Sequence, residues 1–149
     1  MPSPVYLLDT NVVLQLLRGK GLGTYLASTF GLLDTVNRPL VSVVTHGELW
    51  LIADRNNWGT EKRAALQSAL DNLVTIDLND RAVLQAYVEV QRFSRLVARE
   101  LKANDAWIVA CAKAADAMLL TTDGDFKHLK LPDWPVLYVD PAPYLKRPG

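Results

Sequence analysis

Five short apolar runs punctuate this chain, at residues 5–8, 40–44, 73–76, 118–121 and 136–139. They are built from Leu, Val and Ile with little polar alternation. A strand with one wet face alternates, whereas a strand covered on both faces can be apolar throughout. Between the runs lie stretches with helical spacing. Residues 60–72 place Ala64, Ala65, Leu66, Ala69 and Leu70 on helical repeats, and 80–102 does the same with Val83, Leu84, Tyr87, Val90 and Val97, with a break or two. Residues 105–116 are alanine-rich, with Ile108, Val109, Ala112 and Ala115 on one side. Strands alternating with helices predict an α/β fold: a mainly parallel central sheet of about five strands, flanked by helices.

The 149 residues suit a single domain spanning 1–149. Gly19 to Gly23 reads as a flexible loop, and residues 132–143 as a tail along the sheet edge. Sixteen basic residues balance sixteen acidic ones, so no wholesale positive surface recruits a polyanion. Any such partner must be held locally or through metal ions. The single cysteine, Cys111, excludes an internal disulfide framework and suits a reducing cytoplasm, and as part of an apolar helix it reads as a buried structural thiol. No apolar run approaches a membrane span, and Asp9 interrupts the N-terminal candidate for a signal sequence. The expectation is a cytoplasmic protein without membrane contact.

In parallel α/β sheets, ligands gather beyond the carboxyl ends of the strands. Acids stand there repeatedly. Asp9 ends the first apolar run; "VTHGEL" brings Glu48 one turn into the next helix; "NDAW" opens the alanine-rich helix with Asp105; and "LLTTDGDF" sets Asp123 and Asp125 just beyond the fourth run. Each acid has a structural explanation of its own. Asp9, Thr10 or Asn11 suits a helix cap, and Thr45 with Glu48 fits a T-x-x-E capping box. Asp105 suits a helix dipole, and Asp123-Gly124 a turn. Capping gives no reason for all of them to share one end of a sheet, where they repel. A hard divalent cation does: Mg²⁺ and Mn²⁺ prefer oxygen ligands, lower the pKa of bound water and polarise a phosphoryl oxygen.

These blocks, "LLDTNV" (7–12), "GEL" (47–49), "NDAWIVACA" (104–112) and "LLTTDGDF" (119–126), resemble the PIN domain, and within it the VapC-type ribonuclease toxins of bacterial toxin–antitoxin pairs. The resemblance covers nearly the whole chain. It implies Mg²⁺- or Mn²⁺-dependent cleavage of RNA, a cognate antitoxin protein that holds the toxin inactive, and a homodimer. It places the catalytic and metal-binding quartet on Asp9, Glu48, Asp105 and Asp123, with Thr10 and Asn11 in support. Asp125 matches a less constant acid, either an outer group or a substitute for Asp123. The chain departs from the usual pattern in a long stretch from Lys20 to Arg38 and in His46.

Arg92, Arg95, Arg99 and Lys102 fall within an arc of roughly 80° if they share one helix, forming either a solvated face or an RNA-binding stripe beside Asp105. His46 reads as a surface residue at a helix start and His128 as a solvated loop residue. A phosphotransferase of the haloacid-dehalogenase type is disfavoured because Asn11 stands where it needs a second acid. A non-catalytic PIN-like scaffold, or a receiver-like domain relying on Lys127, is the alternative in a different functional class.

Overall fold

The computed structural model describes residues 4–145. Strands β1 (Tyr6–Leu8), β2 (Leu40–Ser42), β3 (Val74–Ile76), β4 (Met118–Thr121) and β5 (Val136–Tyr138) form one sheet in the order β3-β2-β1-β4-β5, and every neighbouring pair is parallel. Helices α1 (Thr10–Arg18), α2 (Leu22–Phe30), α3 (Val43–Arg55), α4 (Thr60–Asp71), α5 (Arg81–Leu96) and α6 (Ala103–Ala114) cover it. Each predicted apolar run becomes a strand, although Val43 and Val44 belong to α3 rather than to β2.

Burial on both faces follows from the two-residue repeat of a strand. Leu7, Leu119 and Val136 point to one side, where they pack with Val83, Ala86 and Val90 of α5 and with the residues 108–112 of α6. Leu8, Val41 and Leu120 point to the other, against Val12 and Val13 of α1, Leu26 of α2, Leu49 of α3 and Leu66 of α4. Helix α6 is apolar almost all round because it lies inside that first layer, with 106 and 108–112 fully buried.

Two local expectations are corrected. The glycines of "GKGLG" do not make a flexible loop. Gly19 ends α1 in the left-handed conformation (φ 63°), and a Cβ on Gly23 would stand 2.0 Å from the Gln15 carbonyl oxygen. Glycine there lets α2 start pressed against α1, a tight corner rather than a loose link. The Thr45–Glu48 capping box does not form either. Ser42 caps α3 by accepting the Val44 N–H at 3.1 Å, which leaves both residues inside the helix.

The break expected within residues 80–102 falls after Leu96. Helix α5 stops at Leu96; Ala98 takes a left-handed φ of 55°, and Arg99 donates its N–H back to the Ser94 carbonyl at 2.9 Å. This is a Schellman-type closure made without glycine. Arg92 and Arg95 remain on the helix, while Arg99 and Lys102 lie beyond it, so the four do not share one helical face.

The segment 132–143 includes β5, the edge strand, and then returns to α2, where Tyr144 stacks on Tyr25 with ring centroids 4.1 Å apart. No helix among the described residues is long and apolar enough to cross a membrane.

Candidate metal centre

The order β3-β2-β1-β4-β5 reverses direction between β1 and β4, and such a switch point opens a crevice at the carboxyl ends of the strands. Asp9 follows β1 there, and its backbone N–H continues the ladder to the Leu120 carbonyl of β4 at 3.0 Å. The residue is buried, 4 % exposed. Oδ1 accepts the Thr10 N–H at 2.8 Å and Oδ2 accepts the Thr121 hydroxyl at 2.7 Å. Burial raises the Asp9 pKa to about 6, against those two bonds, which lower it; the charges of Asp123 and Glu48 add to the rise.

Asp105 stands in the first turn of α6 and is buried. No described residue donates a hydrogen bond to stabilise its charge. Burial, followed by the charges of Asp9, Asp123, Glu48 and Asp125, pushes its pKa to about 7. These charges link all five acids into one electrostatic unit.

Glu48, in the second turn of α3, is aimed by two side chains: the Thr10 hydroxyl donates to Oε1 at 2.9 Å and the Asn104 amide to Oε2 at 3.0 Å. Thr45 braces Thr10 through a 3.1 Å contact between hydroxyls. Asn11, expected in support, is exposed on α1, and no hydrogen bond joins its side chain to the acids.

Beyond β4 the chain turns tightly. The Asp123 N–H donates to the Thr121 hydroxyl oxygen at 3.0 Å, and Asp123 Oδ1 accepts the Asp125 N–H at 2.9 Å, starting a 3₁₀ turn over Gly124–Phe126. The turn carries Asp125 back over the site. Asp105, Asp123 and Asp125 offer carboxylate oxygens within 4.8 Å of one another, while Asp9 and Glu48 fall outside this triple.

The donor set fits a hard divalent cation. It consists of carboxylates alone, and among the described residues the acids have no ion-pair partner; the ion pair formed there is Lys113–Glu89. Two carboxyls carry pKa values raised by burial and mutual repulsion, and a bound cation relieves that repulsion.

Thr121 is the residue that sequence patterns did not single out. It closes β4, bonds Asp9 and receives the Asp123 N–H, so it ties the two strand ends together. Its position two residues before Asp123 is the signal that was available. His128, expected to be solvated, is half-buried. Its Nε2 pairs with Ser94 Oγ at 2.8 Å, and its ring lies parallel to Phe93. His46 is half-buried and meets Thr75 Oγ1 at 2.9 Å. Cys111 is buried as expected, with Sγ 3.4 Å from Ser42 Oγ.

A parallel sheet with acids at its switch point defines a class of α/β domain, and the family profile described as PIN domain matches residues 6–131. The chain belongs to the PIN domain family. No curated protein matches it in sequence. Several solved structures share the fold. VapBC2 from Rickettsia felis, bound to a DNA fragment from its promoter, superposes with a TM-score of 0.73 at 19% identity over 90% of this chain and 98% of that one. VapBC-1 from nontypeable Haemophilus influenzae gives 0.73 at 20% over 90% and 97%. VapBC-5 from Mycobacterium tuberculosis, a member of the VapBC family of toxin–antitoxin systems, gives 0.65 at 22% over 93% and 100%.

Proposed function

We propose that this chain is a metal-dependent endoribonuclease, the toxin of a VapC-type toxin–antitoxin pair, with Asp9, Glu48, Asp105 and Asp123 as its acidic quartet. The observation that carries the reading is Asp105: a buried carboxyl without a donor, facing four other acids, in a cluster without a cationic partner. Such an arrangement is unfavourable alone and suited to Mg²⁺ or Mn²⁺.

Asp105, Asp123 and Asp125 would hold the cation, with Asp9 and Glu48 completing the site directly or through water. When bound, the metal supplies an acidic water and a Lewis acid for a phosphoryl oxygen. The protein's part is positioning. Thr121 and Thr10 fix the Asp9 carboxylate, and Thr10 and Asn104 fix Glu48 where it can orient a water or accept its proton. Asp123 anchors the turn that returns Asp125.

Membership of the PIN family replaces the haloacid-dehalogenase and receiver readings. The full set of acids argues against an inactive scaffold. The solved relatives are VapBC complexes, which supports an antitoxin as partner of this chain. Homodimerisation belongs to the same proposal.

The test is incubation of purified protein with single-stranded RNA and Mn²⁺ or Mg²⁺. Cleavage that EDTA abolishes and excess metal restores is expected. Cleavage that persists in EDTA, or RNA left intact with either metal, refutes the reading.

A further inference from the structure

The turn that ends α5 separates two adjoining clefts. One, of about 480 Å³, is lined by Gln91, Arg95 and Arg99 among others. The second, of about 470 Å³, passes Lys127, His128 and Lys130 and reaches Asp125. Ala98, Arg99 and Glu100 border both, so the clefts adjoin across this turn as one grooved surface, and the second cleft reaches the acid cluster at Asp125.

Its walls are fixed. The Schellman-type closure at Ala98 sets the course of Arg99, and the Gln91 amide donates to the Leu101 carbonyl at 3.3 Å. His128 meets Ser94 of α5, with 2.8 Å between Nε2 and Oγ, and so ties the segment just after the acid-bearing turn to the helix.

The groove's cations are left unengaged by protein. Arg95, Arg99 and Lys130 are exposed, and among the described residues none is paired with a carboxylate. Lys127 holds its ammonium over the Tyr138 ring, 4.8 Å from the centroid, at the carboxyl end of β5. This concentration stands out in a chain with no net charge.

We propose that this groove binds the phosphates of single-stranded RNA on one side of the bond to be cut, through Arg95, Arg99 and Lys130. The identity of the ligand rests on the nuclease reading; the binding itself is measured separately. Salt dependence reports phosphate contacts through counterion release, at a log–log slope of roughly 0.7 per contact for a single strand.

Fluorescence anisotropy of a labelled single-stranded RNA, titrated in EDTA across a salt series, reads the groove without metal or cleavage. The double variant Arg99→Gln/Lys130→Gln should bind at least tenfold more weakly, with a slope lower by roughly 1.4 for its two lost contacts. The control Arg18→Gln/Lys62→Gln alters basic residues lining a separate pocket and should match wild type. All three proteins should melt alike, since these side chains are exposed. Wild-type affinity and slope in the Arg99/Lys130 variant, an equal loss in the control, or no salt-dependent binding by wild type would overturn the proposal, as would tighter binding of duplex DNA than of RNA. RNA that is bound through the groove but stays uncut with Mn²⁺ would support the groove while removing the nuclease reading.

Discussion

Asp105→Asn should stabilise the metal-free protein at neutral pH while removing its response to metal. Asp105 has its pKa raised from 3.8 to about 7, and Asp9 from 3.8 to about 6. The folded chain therefore binds more protons than the unfolded one across that interval. The pH derivative of stability has the sign of protons bound unfolded minus folded, which is negative here. Stability is fully present below pH 4, falls as pH rises through the folded values and levels off above about 7. At about 1.4 kcal/mol per pKa unit, the loss is on the order of 3 kcal/mol for Asp9 and at most about 4 kcal/mol for Asp105, whose partial contact with solvent screens the repulsion and lowers its share. The two rises share one repulsion, so their sum is an upper bound.

For a chain of this size each kcal/mol moves Tm by roughly 2–4 °C, so removing the Asp105 charge should raise Tm by several degrees, at most about 10 °C, at pH 7.5 in EDTA. At pH 4 the difference should vanish, because the wild-type carboxyl is then protonated and neutral like the amide. Saturating Mn²⁺ at about 100 times its Kd should return roughly 2.7 kcal/mol to wild type and much less to the variant. Melting curves at half-unit steps from pH 4 to 8, with EDTA or Mn²⁺, measure all of this. Parallel wild-type and variant curves across the pH range would refute the reasoning.

Asp9→Asn and Glu48→Gln should each reduce RNA cleavage at least 100-fold in single-turnover assays, with circular dichroism unchanged. Asp123→Asn should lose more activity than Asp125→Asn, because Asp123 also organises the turn that returns Asp125; the reverse order would make Asp125 the fourth acid of the site. Thr121→Val removes the bond to Asp9 and the acceptor for the Asp123 N–H, and should weaken Mn²⁺ binding about 10–100-fold by calorimetry, the usual cost of losing a group that orients ligands. Mn²⁺ affinity should climb with pH to about 7 and then level, as metal ceases to displace protons from Asp9 and Asp105.

The strands and their acids were legible because both signals are local. A doubly covered strand is apolar throughout, and a residue such as Asp9 or Asp123 directly after it must lie at the sheet's carboxyl rim. What the pattern hid depended on backbone geometry or distant partners. Helix α5 ends without Gly or Pro because Ala98 accepts a left-handed φ that propensity does not favour, and this redirects Arg99 towards the Asp125 turn. The cap of α3 is Ser42, the last residue of β2, and only the end of pairing to Ile76 decides that the helix begins before Thr45. Thr121 reads as an ordinary strand residue until β1 places the Asp9 carboxylate beside it. His128 looks solvated until α5 packs Ser94 against it, 34 residues away in sequence.

In the proposed site, acids from four separate segments hold one divalent cation at the β1–β4 switch point. Crystals grown with Mn²⁺ and measured for anomalous scattering at the manganese edge test this directly. An anomalous peak is expected about 2.1 Å from carboxylate oxygens of Asp105 and Asp123, with Asp125, Asp9 or their bound waters completing its shell, and no such peak in crystals of Asp105→Asn. Manganese held at exposed acids elsewhere with this crevice empty, or an unchanged peak in the Asp105→Asn crystals, would contradict it.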